Sequence, residues 1–283
     1  MSRLTTDQNI KKTEPRRIRK SRPGDYRRQL PPWEGGAAGL FALFIWQISA
    51  NLEFVASPYI LSQKFAGLVL EGDPLYNLTL LQMLGTSLTT LLAGAGSAFI
   101  VAIPLGILMG YFRDLSRFLN LYISLCRPIP PMAWIPVGYI LFAGMPQPTL
   151  WVQIMVVFVG AFFPSFTATA HAVQSVDPIL IEAAQTLGAR HERQILCKVL
   201  LPSVIPAVIS GIRSGLGVGW MCIIGAEFVG GRMGIGAYIW SLYTIGGRMS
   251  QIMIAILCVG IVGLMMNEGI SLIGRRIARW YSW

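Results

Sequence analysis

Between Arg127 and Asp177 the chain runs for 49 residues, Pro128 to Val176, without one Asp, Glu, Lys or Arg. A single helix needs about 20 residues to cross the hydrocarbon of a bilayer, so this run holds two crossings. The stretch "AGMPQPT", Ala143 to Thr149, supplies the break between them. The rest of the chain agrees: 54% of its 283 residues are hydrophobic and 13% are charged, and mean hydropathy is +0.58. That composition belongs to a membrane protein rather than to an ordinary soluble domain. The expected fold class is all-α and polytopic, since a spanning segment must satisfy its own backbone.

Six spans are predicted: Gly35 to Leu52, Leu84 to Gly110, Phe118 to Ala143, Leu150 to Val173, Ser203 to Gly230 and Met249 to Gly274. Lys and Arg set their orientation, because cytoplasmic segments accumulate them. With the N-terminus inside, the inner segments carry 18 basic residues and the outer segments three, Lys64, Arg232 and Arg248. Both termini are therefore expected in the cytoplasm. Residues 1–34 form a basic arm with ten Lys or Arg among the first 28 positions, against Asp7, Glu14 and Asp25. Beside a membrane span this reads as a disordered topogenic arm with weak attraction to anionic lipid, not as a cleaved signal or a nucleic-acid-binding tail. Residues 35–283 form the transmembrane domain. Within it, about 58–82, Ile60, Phe65, Leu68 and Val69 recur near helical spacing, which fits an amphipathic helix on the outer face or a packed loop helix.

One stretch is out of keeping with this apolar chain. "IEAAQTLGARHERQILCKVLLP", Ile181 to Pro202, carries Glu182, Arg190, Glu192, Arg193 and Lys198. Asp177 is a suitable N-cap, Pro178 an allowed first helical residue, and Gly188 a suitable left-handed stop. A second helix is predicted from about Arg190 to Leu200, halted at Pro202 where the fifth span begins. On its residues alone the segment is a solvated pair of short helices on the inner side.

The pattern Glu182, Ala183, Ala184, Gly188, Leu201 and Pro202 resembles the cytoplasmic "EAA" loop of permeases from binding-protein-dependent ABC importers, and its place before the penultimate span matches as well. The resemblance extends from about Pro58 to the C-terminus. "RPIPPMAWIPVGYILF" from Arg127, "SVDPILIEAAQTLGA" from Ser175, "GIRSGLGVGW" from Gly211, "GAEFVG" from Gly225 and "MGIGAYIW" from Met233 are similar to the nitrate/sulfonate/taurine/bicarbonate group. It implies the type I ABC importer permease fold with six transmembrane helices in a bacterial inner (plasma) membrane. It also implies a coupling loop over about 175–202, in which Glu182, Ala183, Ala184, Gly188, Ala189 and Arg190 meet a partner ATPase. Two such ATPase subunits would carry the ATP and Mg. A periplasmic or lipoprotein solute-binding protein would deliver a small oxyanion, and a second permease copy, as a homodimer, would supply the second elbow. Alternating access would move the anion.

The residues are consistent with a chain that performs no chemistry itself. No Gly-x-x-x-x-Gly-Lys-Ser/Thr stretch is present, the only histidines are His171 and His191, and Cys126, Cys197, Cys222 and Cys258 are scattered without metal spacing. Neither a catalytic site nor a metal site is expected. Arg127 and Arg213 lie about ten residues into the third and fifth spans, hence about 15 Å above the inner boundary. Two arginines at one depth suit an anion path; the other reading ties each to carbonyls freed by Pro128, Pro130, Pro131 and Pro136, or to a carboxylate. Pro130, Pro131 and Trp134 are candidates for the narrow wall of the path or, equally, for a kinked packing helix, and Trp220 joins the path candidates. Gly211, Gly215 and Gly219 predict close helix packing on the span where two copies are expected to meet. Glu227 and Glu268 are read as partners of arginines or as membrane-edge groups. Six spans alone would serve an ion-coupled secondary carrier or channel equally well, and the basic arm alone a membrane-anchored interaction protein; the elbow separates the importer from both.

Overall fold

The structure is a computed structural model that describes residues 57–189, 191–230 and 233–278, together with Phe44 and Gln47. The basic arm, nearly all of the first predicted span, Arg190, Arg232 and Arg279 lie outside the described residues. Within them the chain is helix and connecting turn, with one isolated antiparallel bridge between Asp73 and Leu78.

Helix α1, Pro58–Leu70, starts where the Ser57 hydroxyl accepts the Ile60 N–H, with proline in the first turn. It is shorter than the predicted 58–82. Gly72, at φ +84°, and Asn77, at φ +50°, turn the chain after Leu70, and Thr79 and Gln82 then form a reciprocal capping box. Residues 80–82 thus open the next span, α2, Leu80–Tyr111. On α1 the inward face is Leu61 and Leu68, whereas Ile60 and Phe65 are exposed.

The proline-rich stretch is broken into α3, Arg113–Cys126, a 3-10 turn, Pro131–Trp134, and α4, Ile135–Leu141. Prolines that lack a donor and exclude the carbonyl four residues back cannot sustain one helix here. After the expected break, in which Gln147 takes a left-handed conformation, come α5, Pro148–Gln174, and the elbow helix α6, Pro178–Thr186. The second elbow helix does not stop at Pro202. Helix α7, Glu192–Ile195, a π-helical turn, Leu196–Leu200, and α8, Leu201–Glu227, follow without a break, giving one helical run of 35 residues, Arg193–Glu227. Pro202 sits in the first turn of α8, and the wide π turn before it relieves the clash that a proline ring meets in α-helical register. Helix α9, Ile235–Ile245, is short and apolar, and α10, Met249–Ile277, closes the bundle. Four helical runs, those containing α2, α5, α8 and α10, are long and apolar enough to span a bilayer.

Helix α5 packs along both α2 and α8, which also touch each other. Lipid tails offer no hydrophobic incentive for helices to associate, so the seams rest on close approach and on buried hydrogen bonds. A Cβ on Gly94 would lie 2.7 Å from Val157 Cβ, and one on Gly106 would lie 2.8 Å from Thr169 Cβ. Across the other seam, Gly211 and Gly215 face Ser165 and Ala161, and the buried Ser165 hydroxyl donates to the Gly211 carbonyl at 3.1 Å. The glycine stripe of α8 is thus used inside one chain. Gly106→Leu should cost about 1–3 kcal/mol by overpacking and lower the thermal unfolding midpoint in detergent. Gly96→Ala, whose Cβ meets nothing within 4 Å, should leave that midpoint nearly unchanged.

Candidate functional site

The elbow is built by its caps. Asp177 Oδ1 accepts the Ile179 N–H at 3.0 Å and starts α6. At the other end Gly188 adopts φ +95°, so its N–H reaches the Gln185 carbonyl and the Ala189 N–H reaches that of Ala184, both at 3.0 Å. This is a complete Schellman ending, which a side chain at 188 would strain. Helix α6 buries none of its residues. Glu182 and Ala183 face solvent beside Ile179, Leu180 and Leu187, the last 89% exposed, while Ala184 and Ala189 are half-buried. The root is different: Val173, Leu200 and Val204 form a buried joint, with Ile107, Tyr111, Val176 and Leu196 packed around it. A cleft of about 580 Å³, lined by Gly110, Arg117, Gln174, Pro178 and Ile181 among others, opens beside that joint. A small, capped, uncovered helix is therefore carried on a junction of α2, α5 and α8.

The candidate path residues fall into two groups. Arg127 caps α3, its N–H bonded to the Ile123 carbonyl at 2.8 Å. With Ile129, Pro131, Gly160, Phe163 and Val218 it lines a cleft of about 230 Å³. Pro130 precedes the 3-10 turn and accepts the Ala133 N–H. Trp134 ends that turn, and its buried indole N–H has no hydrogen-bond partner among the described residues. Arg213 lies elsewhere. Its guanidinium donates to Asn267 Oδ1 on α10, and it lines an apolar cleft of about 390 Å³ between α8 and α10 with Trp220. Trp220 is 5% exposed and donates its indole N–H to the Val259 carbonyl at 3.1 Å. The two arginines do not share a cavity. Arg213 and Trp220, seven residues apart, lie on one face of α8, whereas Val218, which borders the Arg127 cleft, is about 140° around the helix from Arg213. Equal depth says nothing about azimuth.

At the end of the bundle remote from the elbow, two acidic residues organise structure in a way that sequence reasoning missed. Glu227 is 2% exposed; Oε1 accepts the Ser87 hydroxyl at 2.7 Å, and Oε2 accepts the Gly236 N–H at 2.7 Å. Ser87 Oγ in turn accepts the Ile235 N–H at 3.0 Å. The carboxylate therefore caps α9, where backbone donors and the helix dipole favour an anion. Among the described residues its partners are backbone and serine. Glu268 meets an arginine, Arg275 at 3.8 Å, on the surface. A Cβ on Gly236 would stand 2.9 Å from Glu227 Oε2, so the "GAEFVG" and "MGIGAYIW" stretches are two halves of one contact. Asp73, 1% exposed, accepts from the Tyr238 hydroxyl at 2.7 Å, from Arg248 Nη1 at 3.1 Å and from the Leu75 N–H at 2.9 Å. The signal for Asp73 was only its place in a Gly-Asp-Pro turn, which does not reveal partners 165 and 175 residues away.

A bundle with four helical runs long and apolar enough to cross a bilayer is that of an integral membrane protein. The chain belongs to the family described as binding-protein-dependent transport system inner membrane component, whose signature matches residues 102–281; its members include ABC transporter permeases. The nitrate import permease protein of Leptolyngbya laminosa is 32% identical, over 94% of this chain and 96% of its own length. The taurine transport system permease protein of Escherichia coli is 30% identical, over 84% and 86%. In three dimensions the chain is similar to a chain of the MetNI methionine ABC transporter, with a TM-score of 0.50 at 21% identity, covering 70% of this chain and 93% of that one. That likeness concerns the fold.

Arg248→Met would leave Asp73 buried without its cation. Unfolding should then be easier by about 3 kcal/mol, read as a lower thermal midpoint, and adding Asp73→Asn should restore part of the loss.

Proposed function

We propose that this chain is the membrane-spanning permease of an ATP-driven importer of a small oxyanion of the nitrate, sulfonate or bicarbonate type. It lies in the inner membrane of a bacterial cell with both termini and the elbow in the cytoplasm. Two copies form the pathway, a periplasmic or lipoprotein binding protein delivers the solute, and two separate ATPase subunits holding ATP and Mg dock at the elbows and drive alternating access. The observation that carries this reading is the geometry of α6. Its exposed apolar residues flank the Glu182 carboxylate, which suits a groove with a basic rim, and its rigid caps and buried root suit a lever. A self-sufficient carrier has no need of such a handle. The substrate class rests on relatives named for nitrate, taurine and bicarbonate and on Arg127, which borders a cleft between helices and forms no ion pair among the described residues. Arg213, held by Asn267, suits a structural tether better.

Glu182→Lys and Gly188→Val should each abolish co-purification of the ATPase subunits and uptake of labelled nitrate, taurine or bicarbonate into proteoliposomes, while the permease remains folded. Arg127→Gln should keep the ATPases bound and reduce uptake by roughly tenfold or more, in line with losing one charge-assisted contact. Sustained accumulation by the permease alone would contradict the proposal.

A further inference from the structure

A hydroxyl that faces hydrocarbon finds no partner there, so a Ser or Thr on a spanning helix turns back and donates to the carbonyl three or four residues earlier. The exposed Thr89 of α2 does this, bonding to the Thr86 carbonyl at 2.8 Å. So does Ser203 at the start of α8, which bonds to the Val199 carbonyl at 2.7 Å. Ser210 and Ser214 of α8 behave differently. Both side chains are exposed, and neither hydroxyl bonds to a carbonyl of its own helix.

Their depth makes this unusual. Ser210 is the central residue of the helical run Arg193–Glu227, and Ser214 is one turn, about 6 Å, further from the elbow. A hydrocarbon layer about 30 Å thick, centred on that run, covers both. The arc of α8 that carries them is small and polar, and it includes Gly217, where an added Cβ would meet nothing within 4 Å. Helices α2 and α10 instead turn Leu92, Ile100, Ile261 and Leu264 outward, which suits lipid. Ser210, Ser214 and Val218 follow one another at four-residue steps, each about 6 Å along the helix and about 40° around it. Val218 borders the Arg127 cleft. The two hydroxyls therefore extend from that cleft toward the elbow, and the only carboxylate of α8 is the buried Glu227 at its far end.

We propose that Ser214 and Ser210 continue the Arg127 cleft as the elbow-side half of the anion path, each offering its hydroxyl to an oxygen of the passing solute. The proposal rests on the oxyanion-permease reading above and adds the groups the anion meets beyond Arg127. The chemistry suits the task. A guanidinium attracts the charge at one point, and neutral donors then replace water without holding the anion as a second cation would, since conduction needs sites that release what they bind.

The test uses the permease assembled with its ATPase subunits in proteoliposomes. The anionic, membrane-impermeant reagent sulfonatoethyl methanethiosulfonate is added to both sides, and modified positions are located by peptide mass spectrometry. Ser210→Cys and Ser214→Cys should each be modified, with loss of uptake beyond that of the treated parent chain, whereas Ile100→Cys on the apolar face of α2 should stay unmodified. Ser210→Ala combined with Ser214→Ala should lower uptake roughly fivefold or more, as for two lost hydrogen bonds, with the ATPases still bound; the corresponding pair of threonine substitutions should restore most of it. Introduced thiols as unreactive as that of Ile100→Cys, or full uptake by the double alanine variant, would overturn the proposal. Disulfides forming between two permease copies at 210 or 214, with no access for the reagent, would also overturn it and make this face a contact between copies. ATP-dependent uptake is measured in the same vesicles, so an unreactive face in a protein that transports refutes this proposal alone and leaves the importer reading standing.

Discussion

The close seam between α5 and its two neighbours is the constraint on which the rest depends. In a bilayer, apolar side chains gain nothing by leaving lipid for protein, so helices stay together only where backbones approach closely and buried polar groups find partners. Gly94 and Gly106 on α2, and Gly211 and Gly215 on α8, create that closeness where each helix meets α5. Ser165 adds a hydrogen bond that lipid cannot replace. With this three-helix unit set, the helix ends are positioned, and the elbow and the buried acidic network both grow from helix ends.

The two ends of the unit solve opposite problems. At one end polar groups are buried and fully engaged: Glu227 holds the start of α9, and Asp73 ties the turn after α1 to α9 and to the start of α10. At the elbow end the joint of Val173, Leu200 and Val204 is apolar, and the helix beyond it is left uncovered. That joint is where the elbow is rooted between α5 and α8. The network at the other end holds the turn, α9 and the start of α10 together as one cross-linked unit.

How far the sequence could be read depended on how local each signal was. The Asp177 cap, the left-handed Gly188 and the break before α5 are set by side chains within a few residues, and each appears where the chain predicts it. Pro202 misled for the same reason: as a local signal it ends helices, yet the π turn just before it carries the helix through. The buried acids were the hardest to see. Their partners come from other helices, and nothing in a Gly-Asp-Pro turn or a lone Glu near the end of a span states which donors will meet it.

The order of residues by itself determined depth and class. Hydropathy measures how long the chain stays in hydrocarbon, so the long spans and the polar elbow follow from it, and the motifs around that elbow carry the family resemblance. Only the tertiary structure decided azimuth. Arg127 and Arg213 have similar depth but border different clefts, because the faces of α8 are assigned by what packs on them: α5 on the glycine side, α10 on the side of Arg213 and Trp220. A one-dimensional pattern carries height along the membrane normal, whereas rotation about that normal is fixed by contacts between residues far apart in the chain.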